Sequence, residues 1–261
     1  MLASRRQGSG ARPLVLLHGF LGAGRNLSSL ARLLLQRQPD LLLHLPDLPG
    51  HGASAPSPRG AGFPAMAAEM ERFLADLGQA EPVDLAGHSF GARVALATLD
   101  LAPQRVARVA ILDMTPGSLH APAADRMVAD LQAAPDRFPS RAEAEAYFRA
   151  HTGDEQLIAW LSMNLERKGD GAVGWRIDRD YLAAVHAATR TVDLWPVVER
   201  HPERIALLRG GRSPLVSSGD LERLAALGIE VETLEASGHF LHVDAPEATA
   251  RWLQRRVSSA R

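Results

Sequence analysis

Ser89 lies between two glycines in Gly87-His88-Ser89-Phe90-Gly91, a G-x-S-x-G pattern suited to nucleophilic chemistry. A serine hydroxyl is a weak nucleophile at neutral pH, so it needs an exposed perch and a base within hydrogen-bond reach. The run 82–86 (PVDLA) reads as a short strand, and 91–100, rich in Ala and Leu, reads as a helix. The serine therefore falls in the strand-to-helix turn that the motif requires, where glycines spare the backbone a collision with side chains. The plainer alternative is an ordinary serine in a strand-to-helix turn. For the base, His239 in SGHF follows the last expected strand and precedes the closing helix, so its loop can reach the edge on which Ser89 stands. His242, three residues on, is its rival, and either alone would also read as a satisfied structural histidine. Acyl transfer develops negative charge on the substrate oxygen, which backbone N–H groups can stabilise. Two amides are placed for that role: Phe90, next to the nucleophile at the helix start, and Phe20, after His18-Gly19 at the end of the first strand. His18 reads as orienting that loop rather than reacting.

The elements that must hold these residues alternate. Apolar runs at 13–17 (PLVLL), 41–45, 82–86 and 106–112 (VARVAIL) alternate with helical patterns at 27–38, 63–77 and 91–100. Such alternation implies a parallel sheet covered on both faces. After Asp113 the rhythm breaks: 115–197 carries helical spacing (123–134, 141–151, 155–165, 181–188) and no convincing buried strand. Strand spacing resumes at 205–208, followed by a helix near 220–227, a strand at 230–234 and a helix at 246–257. The expected architecture is an α/β core from 1–114 and 198–261, with 115–197 inserted as a helical cap over the carboxyl edge, where ligands bind in open α/β sheets. In the cap, Trp160, Trp175 and Tyr181 are candidates to line a substrate pocket, although filling the cap's own core is the commoner fate of such residues.

Composition narrows the partners. The chain has 261 residues, 46% of them hydrophobic, enough for one large core. Its 29 basic and 30 acidic residues nearly cancel, so no global field draws it to nucleic acid or a charged membrane. A small molecule suits it better as a partner, and the sequence sets no oligomeric state. The absence of cysteine removes disulfides, thiolate nucleophiles and Cys-based zinc sites together. Asp47, His51 and Ser54 in DLPGHGAS invite a metal reading, but turn chemistry accounts for them, and neither metal nor cofactor is expected. No apolar run approaches the roughly 20 residues of a membrane span, nor is there a signal-peptide core at the N-terminus, so a cytoplasmic location is expected.

In order along the chain, LVLLHGFLG, DLPGHGAS, LAGHSFGA and SGHFLHVDAP resemble the corresponding segments of α/β-hydrolases, and LDMTP, GWRIDRDYL and LRGGRSPLV resemble a branch of small bacterial and mitochondrial esterases acting on short acyl esters. The resemblance implies a mostly parallel sheet with helices on both faces, Ser89 as nucleophile, His239 as base and the Phe20 and Phe90 amides as oxyanion donors. It also exposes a departure: Ser213 stands where most of the superfamily carries the triad acid, and a serine lacks the charge that stabilises an imidazolium. Asp113, at the end of the preceding sheet strand, is the expected acid, since some branches carry theirs there; Asp220, further along the later loop, is the second candidate. The function implied is a serine hydrolase cleaving small carboxylic esters or thioesters through an acyl-enzyme. The alternatives are another reaction on the same fold (cofactor-free haloperoxidase or carbon–carbon bond hydrolysis) and a ligand receptor of little turnover. Dehalogenases and epoxide hydrolases are disfavoured because they use an aspartate where this chain has Ser89.

Overall fold

A computed structural model describes residues 2–119, 122–153 and 155–257. Seven strands form the central sheet: β1 (Ser4–Gln7), β2 (Arg12–Leu17), β3 (Leu41–Pro46), β4 (Val83–His88), β5 (Val106–Leu112), β9 (Ile205–Gly210) and β10 (Val231–Leu234). Their spatial order is β1-β3-β2-β4-β5-β9-β10, parallel throughout except for β1, which pairs antiparallel with β3. The apolar runs are continuous because the sheet is buried on both sides. Successive side chains of β2 alternate between the two cores. Val15 and Leu17 pack toward α2 (Phe63–Asp76), α3 (Phe90–Leu101), α8 (Trp195–Arg200) and α9 (Ser218–Ala226); Leu14 and Leu16 pack toward α1 (Ser28–Arg37) and α11 (Pro246–Val257). The short α10 (Leu241–Asp244) leads into α11, whose fully buried Trp252 anchors the second core.

Between β5 and β9 the chain leaves the sheet and builds the cap: α4 (Pro122–Ala133), α5 (Arg141–His151), α6 (Glu155–Met163) and α7 (Arg179–Thr189). Its core gathers Leu131, Phe138, Phe148, Ile158, Leu161 and Leu182, and it also takes in Leu21 from the loop after β2. Where the sequence shows no convincing buried strand, β6 (Arg137–Phe138), β7 (Leu165–Arg167) and β8 (Val173–Trp175) form a small antiparallel sheet. Strands of two or three residues are too short to show alternation. Where the cap joins the core, Leu194 N–H donates to Pro116 O at 2.9 Å and Leu119 N–H to Arg190 O at 2.6 Å, so the outgoing and returning segments run side by side.

Candidate active site

Ser89 follows the last residue of β4 and caps α3 with φ 54° and ψ −122°. Positive φ costs a non-glycine residue of order 1–3 kcal/mol, so the surroundings must impose it. They do so by hydrogen bonds and close packing: Ser89 N–H donates to Leu112 O of the neighbouring strand, and Ala92 N–H to Ser89 O, both at 3.0 Å. A Cβ on Gly87 would lie 2.4 Å from Ala92 N, and one on Gly91 would lie 2.5 Å from His18 O. Both glycines are therefore required for α3 to sit this close to β4 and β2, with its N-terminus beside the serine.

Asp113 stands just past β5, adjacent to Ser89 in the sheet order, and it too has positive φ, 53°. It is 0% exposed, and three hydrogen bonds of 2.8 Å fix it. Its N–H donates to Leu208 O, its Oδ1 accepts from Gly210 N–H, and its Oδ2 accepts from Nδ1 of His239. His239 lies on the loop after β10 and keeps its side chain 24% exposed. Nδ1–H is thus held by the carboxylate, which leaves Nε2 as the lone-pair nitrogen.

The rival residues are engaged elsewhere. Asp220 forms a capping box with Ser217 at the start of α9, and its Oδ1 accepts from Thr115 Oγ1 at 2.9 Å. Ser213 is buried, its Oγ accepting from Leu215 N–H at 3.3 Å. His242 is buried with neither ring nitrogen partnered among the described residues, and burial holds it down to about 4, so it stays neutral. Its ring lies 4.7 Å from that of His88. His88, also buried, donates from Nε2 to the backbone carbonyl of His239 at 2.8 Å; burial first, then the neighbouring His239 and His242, keep it well below an ordinary histidine. It braces the backbone of His239 from below.

The loop carrying Phe20 runs directly past the serine, since a Cβ on Gly19 would lie 3.3 Å from that of Ser89. His18 Nε2 accepts from Leu48 N–H at 3.0 Å, which places the ring hydrogen on Nδ1, facing Gly19 O at 2.8 Å. Burial holds His18 down to about 4, so this donor does not change with pH in the neutral range. Gly22 N–H also donates to Gly19 O, at 3.0 Å. The Gly19–Phe20 peptide is planar and trans, so fixing its carbonyl fixes where the Phe20 N–H points. Neither the Phe20 nor the Phe90 amide is spent on a loop or turn carbonyl among the described residues, and Phe90 lies in the first turn of α3, where amides have no intrahelical acceptor.

The three cap aromatics part company. Trp160 is half-buried above the site: its ring is 5.1 Å from that of Phe240, which in turn lies 5.2 Å from His239. Trp175 sits within the cap, against Phe148 and under Arg179, its Nε1 donating to Pro135 O at 2.9 Å. Tyr181 is a strut from α7 to the core loop, its hydroxyl accepting from Ser57 N–H and donating to Gly60 O. Gly50, at φ 75°, makes room for it, since a Cβ there would fall 2.3 Å from the ring. In DLPGHGAS, Asp47 accepts from the amides of Gly24 and Ala53, Ser54 Oγ donates to Asp47 O, and His51 Nδ1 donates to Pro49 O, so turn formation occupies them. Among the described residues no group of three or more His, Asp or Glu could hold a metal ion, and no helix is long and apolar enough to cross a membrane.

The model of a family described as "Alpha/beta hydrolase family" matches residues 14–252. The chain is 28% identical to the esterase YbfF of Escherichia coli over 249 residues, covering 94% of this chain and 93% of that one. It is 30% identical over 242 residues to the sn-1-specific diacylglycerol lipase ABHD11 of Xenopus tropicalis, covering 89% and 73% respectively. Among solved structures, an esterase from a marine microorganism superposes with a TM-score of 0.85 at 24% identity, covering 97% of this chain and 98% of the other, a likeness of fold.

Proposed function

We propose, since this chain belongs to the alpha/beta hydrolase family, that it is a serine esterase cleaving small carboxylic esters or thioesters through an acyl-enzyme on Ser89. The observation that carries the reading is the hydrogen bond from His239 Nδ1 to the buried Asp113 Oδ2, beside a serine held at φ 54°. With Nδ1 engaged, His239 Nε2 takes the proton of the Ser89 hydroxyl as its oxygen attacks the ester carbonyl carbon. Charge passes to the carbonyl oxygen, where the Phe20 and Phe90 amides and the N-terminus of α3 stabilise it. The imidazolium, stabilised by Asp113, then gives its proton to the leaving alcohol or thiol as the carbon–oxygen or carbon–sulfur bond breaks. Water, deprotonated by the same nitrogen, attacks the acyl-serine and releases the acid. Relatives with esterase and lipase in their names support the bond class.

A fluorophosphonate probe tests the nucleophile. The wild-type chain is expected to label at Ser89 and to hydrolyse p-nitrophenyl esters, and Ser89→Ala to lose both activities. Labelling that persists in Ser89→Ala places the nucleophile elsewhere. A panel of esters of rising chain length, with thioester comparators, then defines the preferred acyl group.

A further inference from the structure

Asn164, the residue after α6, is 2% exposed and touches neither Ser89 nor His239 through any hydrogen bond among the described residues. Its Nδ2 donates to Leu21 O at 2.8 Å and to Trp160 O at 3.0 Å. Both partners are carbonyls, so the amino side of the carboxamide must face them. Leu21, like Ser89 and Asp113 a non-glycine residue at positive φ, has φ 58°, and it occupies the position where a type II turn requires such a conformation. Glycine ordinarily fills that position; here a leucine does, its side chain 3% exposed in the cap's core. A conformation that costs about 1–3 kcal/mol persists only where its surroundings over-determine it.

We propose that Asn164 is a positioning residue for the oxyanion loop, acting through the Leu21 carbonyl. The proposal rests on the reading of the Phe20 amide as an oxyanion donor. Its action passes through two rigid planes. Leu21 C=O and Gly22 N–H belong to one peptide, so holding the carbonyl aims the N–H. That N–H donates to Gly19 O, whose peptide carries the Phe20 N–H at its other end. The clamp is itself anchored: Asn164 O accepts from Arg176 N–H at 2.9 Å, and the carbonyl of the preceding Met163 accepts from Arg25 of the core at 2.7 Å and from Arg176. The cap thereby sets the loop that faces the reacting oxygen, in addition to covering it.

Steady-state kinetics with a p-nitrophenyl ester tests this. Asn164→Ala and the near-isosteric Asn164→Asp are each expected to lower kcat about 10–100-fold with KM within about twofold, because a misplaced donor weakens the transition state more than the ground state. Leu21→Gly added to Asn164→Ala is expected to recover part of kcat, since glycine adopts positive φ without strain, even though losing the leucine lowers Tm further. A purely structural role gives the opposite: the double variant is slower than Asn164→Ala. That result, or wild-type kcat in either folded single variant, overturns the proposal. Wild-type kcat in Asn164→Asp does so even if Asn164→Ala fails to fold. Should Ser89→Ala retain turnover, the acyl-enzyme reading fails as a whole; Ser89→Ala inactive beside a fully active Asn164→Asp removes only the positioning role.

Discussion

Ser89 and Asp113 share an uncommon backbone, φ 54° and 53°, each one residue past the carboxyl end of adjacent parallel strands. Glycine would relieve both positions and would remove the hydroxyl and the carboxylate with the strain. For Asp113 the proposed role makes a sharp prediction. Asp113→Asn is expected to cut kcat by up to about 10⁴, because the amide no longer holds the His239 tautomer or balances the imidazolium. Asp220→Asn is expected to turn over near normally, since that carboxylate caps α9. Ser213→Asp, added to Asp113→Asn, should restore part of the loss if its carboxylate reaches His239. Equal losses in the two asparagine variants, measured by steady-state ester hydrolysis, would refute the assignment of the acid. Of the proposed triad, Ser89 and His239 are the members to which motif and chain order point directly. Asp113 became legible only by resemblance and by the serine at 213. Asn164 left no sequence signal: a single asparagine at the end of a helical run, its contact with Leu21 spans 143 positions.

Strand β5, α5 and α11 were readable at their observed bounds, 106–112, 141–151 and 246–257, because each has a strong apolar period and clear flanks. β1 was not, because Ser4, Arg5 and Arg6 are exposed and the strand is held by backbone pairing with β3 alone, which leaves no hydrophobic pattern. The short α8 and the three short cap strands fall below the length at which periodicity speaks. In the cap, the two tryptophans that look alike in sequence are expected to behave differently. Trp160→Ala should shift preference among p-nitrophenyl esters toward longer acyl chains, because its ring closes over Phe240 beside His239. Trp175→Ala should lower Tm and leave that preference unchanged, since its contacts lie within the cap. An altered preference in Trp175→Ala, or none in Trp160→Ala, would show that the pocket is shaped from another side of the cap.

Across the whole molecule, buried neutral histidines tie stability to pH. Burial holds His18 and His242 to about 4 and His51 to about 3, with the neighbouring His18 adding to the effect on His51, against 6.5 for the free side chain. Between those limits the unfolded chain binds more protons than the folded one, so stability present above about pH 6.5 is lost as pH falls toward 4. Asp84 has the opposite sign: burial raises it to about 6, so its contribution is present below the ordinary carboxyl range and lost as pH rises through 6. It offsets part of one histidine. Urea midpoints are therefore expected to fall steadily from about pH 7 to about pH 4.5, and less steeply in His51→Phe; a flat profile in the wild type would contradict this balance. The paired segments at the base of the cap carry a different consequence. Pro116 and Leu194 are hydrogen-bonded neighbours, so the cap leaves and rejoins the core at almost one point. A loop whose ends already meet asks little more of the scaffold as it lengthens, because closure entropy grows only with the logarithm of its length. The length of that segment can thus vary while β5 and β9 keep their register, so long as the Asn164 contact with the Leu21 carbonyl is kept.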